Sequence, residues 1–120
     1  MKLVYVAGPY RAATAWEVEQ NVRRAEEIGL ELARMGAMPV VPHTLTRFYG
    51  GECPEDFWLL GTFMLMRRCD IVVLMPTWRL SVGAACEKED AMVLGKPIVE
   101  WEVDADRQTF RDLLRVEVTS

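Results

Sequence analysis

Ser81, Gly83 and Glu87 form the pattern Ser-x-Gly-x-x-x-Glu directly behind a strand-like run, and that placement invites chemistry. The apolar residues 70–75 and the loop 76–80 come first, an order that predicts strand, loop and helix start. In an open α/β sheet, ligands gather at the carboxyl ends of the strands, against helix N-termini. Ser81 is suited to cap such a helix, and Gly83 leaves room above its first turn. Glu87 lies four residues beyond Gly83, so the two share a helix face, and its side chain leans back toward the N-terminus. Buried among Gly83, Ala84 and Ala91, this carboxyl would titrate high and serve as acid, base or nucleophile. On spacing alone the alternative, a solvated glutamate on a surface helix, stays open.

A second group follows the first strand. Gly8-Pro9-Tyr10-Arg11 sits at the same end of a sheet, where Gly8 permits close backbone approach and the Arg11 fork suits a phosphate. Arg11 reads equally well as a solvated loop charge. Tyr5 lies inside that strand, on the face opposite Val4 and Val6, and its hydroxyl needs a partner if buried: a ligand, or Glu87. His43, just after Pro42, could meet a base or sugar. Trp78, beside Arg79 in the loop before Ser81, could stack on a base if exposed, or pack on a neighbouring subunit. Asp70 opens its strand at the end remote from ligands and reads as structural.

The elements that must position these residues are legible as alternating short strands and helices. Strands are expected at 2–8, 37–41, 70–75 and 98–101, with a possible edge strand at 116–118. Helices are expected at 16–35, where Val18, Val22, Ala25, Ile28, Leu32 and Met35 mark one face, at 54–68, at 81–94 and at 106–114. Gly36 and Gly95 end the first and third helices, and 43–53 reads as a loop. The helix at 54–68 is apolar all round from Phe57 to Met66, Phe63 included, which calls for burial on both sides and predicts a homo-oligomer joined through it. Strands alternating with helices imply an α/β fold: a central parallel sheet with helices on both faces.

Composition narrows the function. At 120 residues, 51% apolar and 27% charged, the chain is expected to form one soluble domain over 1–120. A net charge of −4 argues against a nucleic-acid polymer as partner, though not against a single nucleotide. Three cysteines without paired spacing suggest reduced thiols in a cytoplasmic protein, and one histidine makes a zinc site a poor reading. No metal, no cofactor and no membrane partner are expected. The chain opens directly on a strand, which predicts no signal peptide, and its longest apolar run is too short to span a bilayer. Neither GxGxxG nor a Walker pattern occurs.

Val4-Tyr5-Val6-Ala7-Gly8-Pro9, followed by Ser81-x-Gly83-x-x-x-Glu87 with Ala91 and Gly95-Lys96-Pro97 behind it, resembles the nucleoside 2-deoxyribosyltransferase superfamily. That group includes the 2′-deoxynucleoside 5′-phosphate N-hydrolases and small, often phage-type relatives, and the likeness runs from residue 2 to about residue 101. It implies a flavodoxin-like three-layer domain and a homo-oligomer with active sites near subunit contacts. It further implies that Glu87 attacks the anomeric carbon as the base leaves, giving a glycosyl-enzyme that passes to a second base or to water. Tyr5 would hydrogen-bond and position Glu87, while Ser81 and Arg11 would hold a 5′-phosphate. Both positions are filled, which favours a nucleotide over a free nucleoside. One position departs from the pattern: Thr62 stands where the family places an aspartate that handles the departing base. The expected function is therefore cleavage of the N-glycosidic bond of a nucleoside or its 5′-monophosphate, by hydrolysis or base transfer. The alternative is a non-catalytic nucleoside- or nucleotide-binding module on the same fold.

Overall fold

Short apolar runs in a chain of this size can hide both faces only by lining up between helices. In the computed structural model, which describes residues 1–115, they do so. The order is β1 (Leu3–Ala7), α1 (Ala15–Arg34), β2 (Met38–Val40), α2 (Pro42–Leu45), α3 (Glu55–Arg67), β3 (Ile71–Leu74), α4 (Val82–Val93), β4 (Ile98–Glu100) and α5 (Asp104–Leu114). The four strands form one sheet in the order β2-β1-β3-β4, every pair parallel, with Tyr5 opposite Val72 and Val73 opposite Val99. The fold is α/β, flavodoxin-like, with a central parallel sheet between helical layers.

Strand alternation sorts the core. Val4, Val6, Ile71, Val73 and Val99 face one way and pack with Ala25, Ile28 and Leu32 of α1 and Phe110 of α5. Tyr5, Ala7, Val72 and Leu74 face the other way, onto Met66 of α3 and Ala84 and Ala91 of α4. Tyr5 therefore belongs to the layer that carries Glu87. The chain runs from β1 to one side and returns to the other through β3, so the point where strand order reverses lies between them, at their carboxyl ends.

Helix ends follow local chemistry. The Thr14 hydroxyl accepts from the Glu17 amide at 3.2 Å and the Ser81 hydroxyl from the Ala84 amide at 3.1 Å. Gly36 and Gly95 take positive φ, 96° and 70°, just past the ends of α1 and α4, a conformation that favours glycine. The last helix begins two residues earlier than expected, because Asp106 reaches back to accept the Glu102 and Val103 amides at 2.8 Å each. Asp70 accepts the Leu3 amide at 2.8 Å and ties β1 to β3.

Two expectations need correction. Residues 43–53 are not all loop: Pro42 starts the short helix α2, since proline fixes φ and needs no amide at a first turn. Within the loop before α4, Trp78–Leu80 forms a 3₁₀ turn. The edge strand expected at 116–118 lies outside the described residues. No helix among the described residues is long and apolar enough to cross a membrane.

Candidate active site

Ser81 caps α4 at the carboxyl end of β3, and the helix then carries Gly83 and Glu87 one turn apart on a single face. That face borders a cavity of about 810 Å³ bounded by β1, the loop after it, α2, α3 and the start of α4. Tyr5, Gly8, Tyr10 and Arg11 line it from the β1 side, His43 from α2, and Ser81, Gly83 and Glu87 from α4. Sequence-distant residues are brought together here by the reversal of strand order.

Glu87 is part-buried, and its Oε2 is shut off from solvent with no hydrogen-bond partner among the described residues. Burial pushes its carboxyl up to about 7; the Tyr5 hydroxyl opposes the shift, and the charge of Asp90 adds to it. Tyr5 is wholly buried, and desolvation followed by the Glu87 carboxylate lifts its phenol far above the ordinary range, so it stays protonated. The two groups influence one another's protonation, yet the Tyr5 hydroxyl is left without a partner in hydrogen-bonding geometry. A buried hydroxyl and a buried carboxylate oxygen, both unpaired beside one cavity, are a costly arrangement for a purely structural site.

The loop after β1 is held from behind. The Asn21 amide donates to the Tyr10 carbonyl at 3.2 Å, and His43 Nε2 donates to the Pro9 carbonyl at 3.0 Å. Tyr10 meets the His43 ring edge-on at 6.1 Å. With Nε2 committed as donor, His43 Nδ1 is an acceptor, buried and unpaired. Burial keeps this imidazole below its ordinary pKa against the opposing pull of the Pro9 and Gly8 carbonyls, so it is neutral at pH 7.

Several expected roles change. Trp78 is not exposed for stacking: it is 8% exposed, packs in the layer of Tyr5 and Ala84, and its ring is covered by Lys88 and Arg79 at 4.5 and 4.7 Å. The 3₁₀ turn rotates it inward, which one sequence position could not reveal. Pro9 does not border the cavity; its carbonyl is spent on His43. Arg11 borders the cavity but is paired with Glu55 at 2.8 Å, both side chains largely exposed. Gly8 is required by a neighbour: a Cβ there would fall 2.6 Å from Met75 Cβ and 2.2 Å from its sulfur. Met75 is fully buried and cannot move aside, so Gly8→Ala is expected to cost about 1–3 kcal/mol, read as a lowered Tm. Gly83, by contrast, has only the Ser81 oxygen within reach of an added Cβ, at 3.8 Å, and faces open space.

Residues absent from the expected site also line the cavity, Asp90, Trp58 and Glu55 among them. Asp90 lies one turn beyond Glu87, a spacing that alone would have placed it on the same face. Trp58 of α3 stacks on Tyr49 at 6.1 Å and 26°, with its indole N–H buried and unpaired. Glu55 enters through its pair with Arg11. Thr62 borders the cavity as well, its hydroxyl donating to the Leu59 carbonyl at 3.1 Å.

A family model described as a domain of unknown function, DUF7768, matches residues 2–101. No curated protein matches. Among solved structures the chain is similar to a 2-desoxiribosyltransferase from Leishmania mexicana, with a TM-score of 0.63 and 16% identity over 87% of this chain; it spans 66% of that longer chain. It is also similar to a 2-deoxyribosyltransferase from Bacillus psychrosaccharolyticus, with a TM-score of 0.61 and 16% identity, covering 97% of this chain and 93% of that one. At this identity the likeness establishes a shared fold.

Proposed function

The chain belongs to the DUF7768 family, a domain of unknown function, and we propose that it cleaves the N-glycosidic bond of a nucleoside or nucleoside 5′-monophosphate with Glu87 as nucleophile. The observation that carries this reading is the unpaired Glu87 carboxylate, solvent-sealed at Oε2, beside the protonated, equally unpaired Tyr5 hydroxyl in one cavity. The fold shared with two 2-deoxyribosyltransferases supports it. Glu87 attacks the anomeric carbon while the base departs, and water or a second base releases the glycosyl-enzyme. Tyr5 donates toward the carboxylate and orients it. Ser81 and the N-terminus of α4 receive the 5′ end of the sugar, and His43 Nδ1 accepts from a donor on the ligand. The same proposal takes residues 1–120 as one cytoplasmic domain that assembles with its own copies through α3.

A 5′-phosphate must compete with Glu55 for Arg11. The exposed pair is worth at most about 1 kcal/mol, so the competition is open. Glu55→Gln is expected to tighten binding of 5′-monophosphates by roughly three- to tenfold while leaving nucleosides unchanged, measured by titration calorimetry. Equal tightening of both would remove Arg11 from the phosphate end.

The reading is tested by incubating the protein with deoxynucleosides and their 5′-monophosphates and following free base by chromatography, beside Glu87→Ala. Base release that depends on Glu87 is the expected result. Binding without release from any substrate would instead establish a non-catalytic binding module, the reading that Thr62 favours by leaving position 62 without a carboxylate.

A further inference from the structure

The departing base needs a proton, and Thr62 cannot give one: its hydroxyl is engaged on the Leu59 carbonyl and is far too weak an acid. The cavity holds another carboxyl. Asp90 lies on α4 three residues after Glu87, and both border the same space. Residues three apart on a helix are neighbours on one face, with Cβ atoms about 5–6 Å apart, so the two side chains reach into one space. Asp90 is part-buried and has no ion-pair or hydrogen-bond partner for its side chain among the described residues. The wholly buried, unpaired Tyr5 hydroxyl faces the same cavity, so the pair stands beside a donor that still lacks an acceptor.

We propose that Asp90 is the general acid–base of this site, supplying from α4 the carboxyl that position 62 of α3 lacks. The inference rests on the N-glycosidase reading above. In the first half-reaction a lone pair on the Glu87 carboxylate forms the bond to the anomeric carbon. The C–N bonding pair passes to the base nitrogen, which takes the proton of the Asp90 carboxyl. In the second, Asp90 as carboxylate removes a proton from water as its oxygen attacks the anomeric carbon, and the Glu87 ester bond breaks with its electron pair returning to the carboxylate. Both groups end as they began.

Leaving-group chemistry tests this. A purine deoxynucleoside and its N7-methylated, cationic counterpart are compared, in whichever 5′ form the wild type accepts, because a methylated base departs without being protonated. In a single turnover with the protein in excess, which reads only the first half-reaction, Asp90→Asn is expected to slow release of the unmethylated base by on the order of a hundredfold or more and to leave first-turnover release of the methylated base within about threefold of wild type. Activity on the methylated substrate also reports that the variant is folded. Glu87→Gln should lose both. Equal slowing of both substrates by Asp90→Asn, or slowing of neither, would overturn the role of Asp90 while leaving that of Glu87 intact. A wild-type protein that releases neither base overturns the N-glycosidase reading itself, and Asp90's role with it.

Discussion

Glu87→Gln is expected to lower base release by at least about a thousandfold and, above neutral pH, to raise the Tm. The first effect follows from removing the only group proposed to bond to the anomeric carbon; an amide neither attacks nor leaves. The second follows from the same burial that makes the carboxyl reactive. Its folded pKa, about 7, lies above the ordinary carboxyl value, so between roughly pH 4.5 and 7 the folded protein holds a proton that the unfolded chain has released. Stability is therefore lost as pH rises through that window, and ionised Glu87 costs the fold on the order of 3 kcal/mol above it. Glutamine carries no charge and escapes that cost. Thermal denaturation should show a gain at pH 8 and little difference at pH 4.5. First-turnover base release from the N7-methylated substrate, which needs no acid, should rise with pH through about 7 in the wild type, as the nucleophile ionises. A variant that keeps its activity, or whose Tm difference is the same at both pH values, would remove Glu87 from this role.

Two charged substitutions on α3 are expected to part ways. Met66→Asp should unfold the protein, because Met66 is fully buried beneath Tyr5 and Val72 and a carboxylate there has no partner; losses of about 4 kcal/mol or more follow from such burial. Leu60→Asp should leave the fold intact and reduce the sedimenting mass to that of a monomer. Leu60 is 62% exposed, and Phe57 and Leu59 beside it are each more than half exposed, an apolar surface that a separate domain in water would not favour. A folded Leu60→Asp protein with the wild-type mass would contradict assembly through α3. The all-apolar reading of 57–66 thus divides into two faces. Phe63 and Met66 turn toward the sheet, and the outward residues are the ones offered to a partner.

That division shows how far local rules reach. The apolar residues of α3 contain no polar stripe to mark the inward side, so periodicity could identify a helix without orienting it. Where a polar contrast exists, as along α1, the buried face was legible residue by residue, and strand alternation alone set Tyr5 against Val4 and Val6.

What the sequence determined by itself was whatever depends on near neighbours: the succession of strands and helices, the Ser81 cap, the glycines after α1 and α4, and the shared face of Gly83 and Glu87. These rest on backbone hydrogen bonding and side-chain period within a few residues. Only the tertiary structure decided which side chains have partners. Arg11 met Glu55 across 44 positions, His43 spent one nitrogen on Pro9, Trp78 rolled into the core, and Met75 rather than a ligand claimed the space at Gly8. Asp90 gained its place because α4 turns the face of Glu87 toward the cavity. Pairing and desolvation are properties of the packed chain, and they separate a carboxylate that merely sits on a helix from one kept unpaired beside a cavity.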